Sequence, residues 1–175
     1  MKLITFNNKL YGFSSTGRMY MFDDVDNLIF VGATNGTEIT DNAIYDSDLY
    51  VSDNAGLIYK FLNDSLISIC NITDKVVALT VNINLFSIDY NGKLYEYDKI
   101  SNVYKSFIPE RPTDMITFDN KIYVSSLSGK IYEWNEIIFT EVLNLGEQIN
   151  CMLVNNNILY AGTEGGNLHA FNTSP

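Results

Sequence analysis

Carboxylates are the side chains of this sequence best placed to do chemistry. Asp41 and Asp114 stand at the same position of an internal repeat, and Asp74 and Gln148 lie in the corresponding stretches of two other copies. Glu38, Arg111 and Glu147 are near them in sequence. Oxygen donors converging from several copies could hold a cation or a polar ligand, or could form an ordinary solvated acidic rim. More conventional machinery is missing from the sequence. The only histidine, His169, fills a slot that holds tyrosine in the other copies and reads as a packing substitute. One histidine and two isolated cysteines do not make a transition-metal cluster of the usual kinds. Cys70 and Cys151 fall in apolar strand patterns and read as buried free thiols, compatible with a reducing compartment. Asp23-Asp24-Val25-Asp26-Asn27 gathers oxygen donors without the rest of a calcium loop, and reads as a solvated turn. No nucleophile elbow, phosphate loop or dinucleotide fingerprint occurs, so no cofactor is expected.

What would position the carboxylates is a motif repeated five times. It runs Leu10-Tyr11…Gly17-Arg18-Met19-Tyr20-Met21-Phe22, and recurs around Gly56, Gly92, Gly129 and Gly166 at intervals of 39, 36, 37 and 37 residues. A fixed period of this size marks a repeat architecture. Four residues before the first aromatic of each copy stand Asn7, Asp46, Asn82, Asp119 and Asn156, residues that open tight hairpins. Three before each key glycine stand Ser14, Asp53, Asp89, Ser126 and Thr163, whose oxygens can fold onto the backbone of a second turn. Aromatic side chains at alternate positions follow, as in Tyr59/Phe61 and Tyr132/Trp134, on one face of a strand where rings can pack between sheets. Apolar strands precede the first turn at Leu3–Phe6, Ala43–Tyr45, Val76–Val81, Met115–Phe118 and Cys151–Val154, and a weaker fourth strand follows in the first four copies.

Four antiparallel strands per repeat predict an all-β, five-bladed β-propeller in a single domain spanning 1–175. Its blades are expected at 1–34, 35–73, 74–110, 111–146 and 147–175. Nineteen strands are counted, the last blade lacking its outermost one. Either three strands suffice there, or the open edge at Leu168, His169, Ala170 and Phe171 receives a strand from another chain.

The stretch Leu159-Tyr160-Ala161-Gly162-Thr163-Glu164-Gly165-Gly166-Asn167-Leu168-His169-Ala170-Phe171-Asn172 resembles the repeat of the quinoprotein-like (PQQ-type) β-propellers. All five copies carry a version, so the resemblance implies propeller architecture over nearly the whole chain. The quinoprotein dehydrogenases of that family have eight blades, tryptophan docking motifs and a quinone and calcium site. This chain has five repeats and a single tryptophan, Trp134.

A net charge of −10 over 175 residues argues against a nucleic-acid backbone or an anionic membrane as partner. No apolar run is long enough to span a membrane, and no signal peptide is recognisable, which predicts a cytoplasmic location, or a virion if the source is viral. The expected function is a non-enzymatic interaction or assembly module whose partner is another protein or further copies of itself. Richness in Asn, Ile and Tyr suggests an A+T-rich genome and a small structural or accessory protein of a virus or phage particle. Two alternatives stand beside it: a lectin-like binder of glycans, and an enzyme with its site at the mouth of the central channel, at Asp41 and Asp114.

Overall fold

Asparagine and aspartate tolerate a left-handed backbone, and the chain uses them to reverse direction. Asn7-Asn8, Asp46-Ser47, Asp119-Asn120 and Asn156-Asn157 all have φ between 48° and 64°, the geometry of a two-residue hairpin turn. The computed structural model describes residues 2–23, 27–35 and 37–171, and every regular element in it is a strand. The first blade comprises β1 (Lys2–Phe6), β2 (Lys9–Phe13), β3 (Arg18–Phe22) and β4 (Leu28–Ala33). The second comprises β5 (Ile39–Tyr45), β6 (Asp48–Asp53), β7 (Leu57–Leu62) and β8 (Ser65–Asn71). The third holds β9 (Val76–Asn82), β10 (Asn84–Asp89), β11 (Lys93–Tyr97) and β12 (Asn102–Phe107). The fourth holds β13 (Pro112–Phe118), β14 (Lys121–Ser126), β15 (Lys130–Trp134) and β16 (Phe139–Asn144), and the fifth β17 (Ile149–Asn155), β18 (Ile158–Thr163) and β19 (Leu168–Phe171). Each blade is an antiparallel meander in chain order. The fold is the five-bladed β-propeller that the repeat predicts, the last blade having three strands among the described residues.

The chain divides into two compact units, Met1–Leu79 and Thr80–Pro175. Both pack their blades by the same rule. In the first unit, Phe61 meets Tyr11 edge-on at 5.6 Å between ring centroids. In the second, Trp134 meets Phe86 at 5.3 Å and Phe171 meets Tyr123 at 6.2 Å. The ring five residues after a key glycine thus packs on the first aromatic of the preceding blade. Such a pair contributes about 0.5–1.5 kcal/mol beyond the area it buries. Around these rings the cores fill with buried side chains: Phe13, Met19, Leu49 and Val51 in one unit, and Ile131, Ile149 and Leu159 in the other.

The glycine requirement is steric as well as conformational. Gly56 has φ 86°, and a Cβ there would lie 2.0 Å from the Ile72 carbonyl oxygen. The chain leaving the fourth strand settles on the glycine, the Ile72 N–H donating to the Gly56 carbonyl at 2.8 Å. Thr34, Ile108 and Leu145 donate in the same way to Gly17, Gly92 and Gly129. Gly166 also has positive φ, 80°, but among the described residues nothing stands within 4 Å of where its Cβ would be.

Two expectations need correction. The innermost strands of the second, fourth and fifth blades begin earlier than alternation predicts, at Ile39, Pro112 and Ile149 rather than Ala43, Met115 and Cys151. The pairing skips one residue in each, between Ile39 and Asp41, Pro112 and Asp114, and Ile149 and Cys151. Such a β-bulge breaks the period of two that marks a strand in the sequence. The cysteines form no disulfide among the described residues and are not fully buried: Cys70 is half-buried on an outer strand, and Cys151 is exposed just after the bulge.

Candidate functional site

Asp41 and Asp114 sit inside β5 and β13, immediately after the bulged residues Thr40 and Thr113. A bulge re-aims the side chain beside it. Hydroxyl pairs hold each bulge, Thr40 with Ser52 at 3.0 Å and Thr113 with Ser125 at 2.9 Å. Asp41 Oδ2 then accepts the backbone N–H of Leu79 in β9 at 2.7 Å, and Asp114 Oδ2 accepts that of Met152 in β17 at 2.6 Å. Their other oxygens take Lys2 Nζ at 2.9 Å and the Met115 N–H at 2.8 Å. Short hydrogen bonds to an ionised acceptor are the strong kind. Each carboxylate thereby clasps the innermost strand of the next blade.

Asp74 and Gln148 occupy the bends that lead into β9 and β17, and both are half-buried. The Asp74 carbonyl crowds Gly56, 2.8 Å from where its Cβ would be. Gln148 Nε2 donates to Asn150 Oδ1 at 2.8 Å, and its carbonyl accepts the Glu164 N–H at 2.9 Å. The same backbone bond joins Asn54 to Glu38 and Leu127 to Arg111, so the two sets of loops meet within these blades. The Arg111 guanidinium lies 4.3 Å over the Tyr90 ring, a cation–π contact. Among the described residues, no group of three or more His, Cys, Asp or Glu side chains is arranged to hold a metal ion. In the acidic run at Asp23, the carboxylate accepts from the Asn27 backbone at 2.8 Å and side chain at 3.1 Å. Asp24, Val25 and Asp26 lie outside the described residues.

A second role of carboxylates is not evident in the sequence, where Asp53 and Asp89 read only as turn residues, Glu147 only as part of an acidic stretch, and Glu110 is not singled out. The tyrosine three residues after each key glycine needs a partner for its hydroxyl. In the second and third blades Asp53 and Asp89 accept from Tyr59 and Tyr95 at 3.0 and 3.4 Å, while also capping their own turns. In the fourth blade that position is Ser126, and Glu110, from the preceding linker, accepts from Tyr132 and Ser128. In the fifth it is Thr163, and Glu147 lies 3.6 Å from His169 Nε2 and accepts from Asn167 at 2.8 Å. Glu110 and Glu147 both stand nineteen residues before their glycine, where the second and third blades have Thr37 and Thr73. Threonine with aspartate has changed places with glutamate and a hydroxyl residue. Comparing these two positions across the copies would have found the exchange, and His169 is the tyrosine's replacement within it.

The protonation states follow. Burial first, then the Asp53 bond, pushes the Tyr59 phenol up to about 12, and burial and Glu110 do the same for Tyr132. Desolvation pushes the Glu110 carboxyl up, but donation from Ser128, Tyr132 and Ser126 and the charge of Lys130 outweigh it and hold it below the ordinary value.

At the far side of the fifth blade, β19 pairs with β18 from Leu168↔Gly162 to Phe171↔Leu159. Among the described residues no strand lies along its other edge. Leu168 is 68% exposed there.

Comparison with known proteins matches this geometry in outline only. No protein-family profile matches the chain, and no curated protein does. Solved structures do. The computationally designed Ika8 protein shares 14% identity at a TM-score of 0.76, over 97% of this chain and 57% of its own. BamB from Moraxella catarrhalis shares 14% at 0.77, over 99% and 57%. A chain of the mitotic checkpoint complex shares 13% at 0.79, over 99% and 64%. The chain thus spans less than two thirds of each of these relatives. At such identities the likeness is one of fold.

Proposed function

We propose that this propeller is a non-enzymatic interaction module, and that it docks an extended segment of a partner protein along the outer edge of β19. The observation that carries the reading is the contrast between Gly166 and its four counterparts. In the other blades a fourth strand runs beside the third and ends by donating an N–H to the glycine carbonyl. Among the described residues the fifth blade has the third strand and the glycine, with nothing within 4 Å of where its Cβ would be. Unpaired strand edges are templates for strand addition. The four complete blades define the occupant: a short antiparallel strand followed by Thr, Ile or Leu at the residue that settles on the glycine. A net charge of −10 opposes pairing with a second acidic copy and favours a neutral or basic segment. The mitotic checkpoint relative comes from an assembly of proteins, which agrees with such use of the fold. A structural or accessory role in a virus or phage particle, or in the cytoplasm, is the setting that composition favours.

The test supplies the fourth strand in trans, as a peptide copying residues 137–145 of the fourth blade. Saturable binding and a raised Tm are expected, with both lost in Leu168→Lys, which puts a charge on the edge. Absence of binding, or unchanged binding to the variant, would overturn the reading. Pairing of β19 with a second copy would replace the foreign strand by self-assembly.

A further inference from the structure

We infer that the second unit carries a binding site for a single neutral sugar ring, in a cleft between the third and fourth blades. The inference is independent of the strand-docking reading. The cleft has a volume of about 250 Å³, just under the roughly 300–1,000 Å³ of sites for drug-sized ligands, so it suits one ring.

Two departures from the repeat meet at this cleft. Trp134, the only tryptophan, stands where other blades have phenylalanine or tyrosine, and it lines one wall. Its indole N–H is buried with no hydrogen-bond partner among the described residues, although the residue as a whole is 5% exposed. A buried donor of this kind gains from any acceptor brought to it. At the rim stands Ile83, 90% exposed with φ 56°. Its turn position holds asparagine or serine in the other copies. A β-branched side chain in the left-handed region is strained, and such strain gathers at functional sites.

The remaining lining selects the ligand. Glu96 is fixed by Asn84 Nδ2 at 2.5 Å and Lys105 Nζ at 2.9 Å, and Glu136 adds a second carboxylate. Lys105 and Glu96 balance each other, leaving Glu136 in excess, so an anion is disfavoured. The lysine, with donors to spare, discourages a cation. Charged donors and acceptors side by side, an indole N–H and the apolar wall of Phe86 suit a ring that carries hydroxyls on its edge and C–H groups on its face. That chemistry is a monosaccharide unit. The site occurs once, because Trp134 and Ile83 each occur once at their repeat positions, which separates it from lectin propellers that repeat a site in every blade.

The single tryptophan makes the test direct. Glucose, galactose, mannose and N-acetylglucosamine are titrated at millimolar concentrations while the one indole N–H cross-peak is followed by NMR. At least one should shift it saturably. Trp134→Phe keeps the ring packing but removes the N–H, and Glu136→Ala removes the surplus carboxylate. Each should weaken binding about tenfold by calorimetry, equivalent to about 1.4 kcal/mol. Ile83→Asn restores the turn residue of the other blades and relieves strain, so weaker binding in it cannot come from unfolding. No response to any of the four sugars would overturn the assignment. So would unchanged affinity in Glu136→Ala and Ile83→Asn, or a response to butylamine alone.

Discussion

Asp114 accepts the backbone N–H of Met152 at 2.6 Å, thirty-eight residues along the chain. Asp41 does the same for Leu79 over the same separation. Two carboxylates that a sequence reader would send to a ligand are engaged in joining blades. Removing one strands a buried amide at a cost of about 1–3 kcal/mol. Asp114→Ala should therefore lower the Tm by roughly 2–12 °C, at about 2–4 °C per kcal/mol for a chain of this size. Asp114→Asn, which keeps an acceptor, should lose less. Thermal unfolding followed by circular dichroism decides it, and an unshifted Tm for the alanine variant would remove the clasp.

The exchange of carboxylates between Glu110 and Ser126 invites a reversal. Glu110→Thr leaves the Tyr132 hydroxyl without its acceptor and should destabilise by about 1–3 kcal/mol. Adding Ser126→Asp, which recreates the arrangement of Asp53 and Tyr59, should restore most of the loss. A double-mutant cycle in urea measures the coupling, and simple additivity would count against the exchange.

Titration should undermine the fold from both ends of the pH scale. Glu96, held mainly by Lys105, and Glu110 and Glu133, where donated hydrogen bonds outweigh burial, all lie below the ordinary glutamate value of 4.5. A depressed carboxyl stabilises the fold above its unfolded pKa, so stability should fall as pH drops through 4.5 and below. The Tyr59 and Tyr132 phenols, at about 12, stabilise the fold fully below the ordinary 10.0 and lose that contribution as pH rises from there to 12. Urea midpoints across pH 3–12 should trace this plateau, and a flat response between 10 and 12 would contradict the buried tyrosine bonds.

Alanine at the key glycines should separate conformational strain from collision. Gly166→Ala meets open space and should cost about the 1–2 kcal/mol of a left-handed residue. Gly56→Ala must also displace the Ile72 carbonyl, and should unfold the protein or lower its Tm several times further. Equal effects at the two positions would mean that Gly166 is as crowded as the others.

The architecture was legible because its punctuation is chemical. Asn7-Asn8 and Asn156-Asn157 can hardly do anything but turn, and a glycine at constant spacing dates every third strand. The roles of Asp41 and Asp114 were not legible. Their alignment is visible, but their partners are backbone amides, which no residue type announces. Thr40, Thr113 and Asn150 hid the true starts of their strands because a bulge erases alternation, in the first two just before the carboxylate it aims. Glu110 and Glu147 were readable in principle, through a two-position comparison with Asp53 and Asp89. His169 was understood as a tyrosine substitute without its glutamate being found.

Among the described residues such clasps are given by the second and fourth blades, through Asp41 and Asp114, to the innermost strands that follow them. A blade in this chain is consequently not an interchangeable tile. Deleting the third or the fifth blade alone would leave a carboxylate without the strand it holds, whereas removing a giver together with its receiver leaves no carboxylate stranded. Recombination in the ancestry of such a chain, and any attempt to lengthen it in the laboratory, should leave the marks of counting in twos.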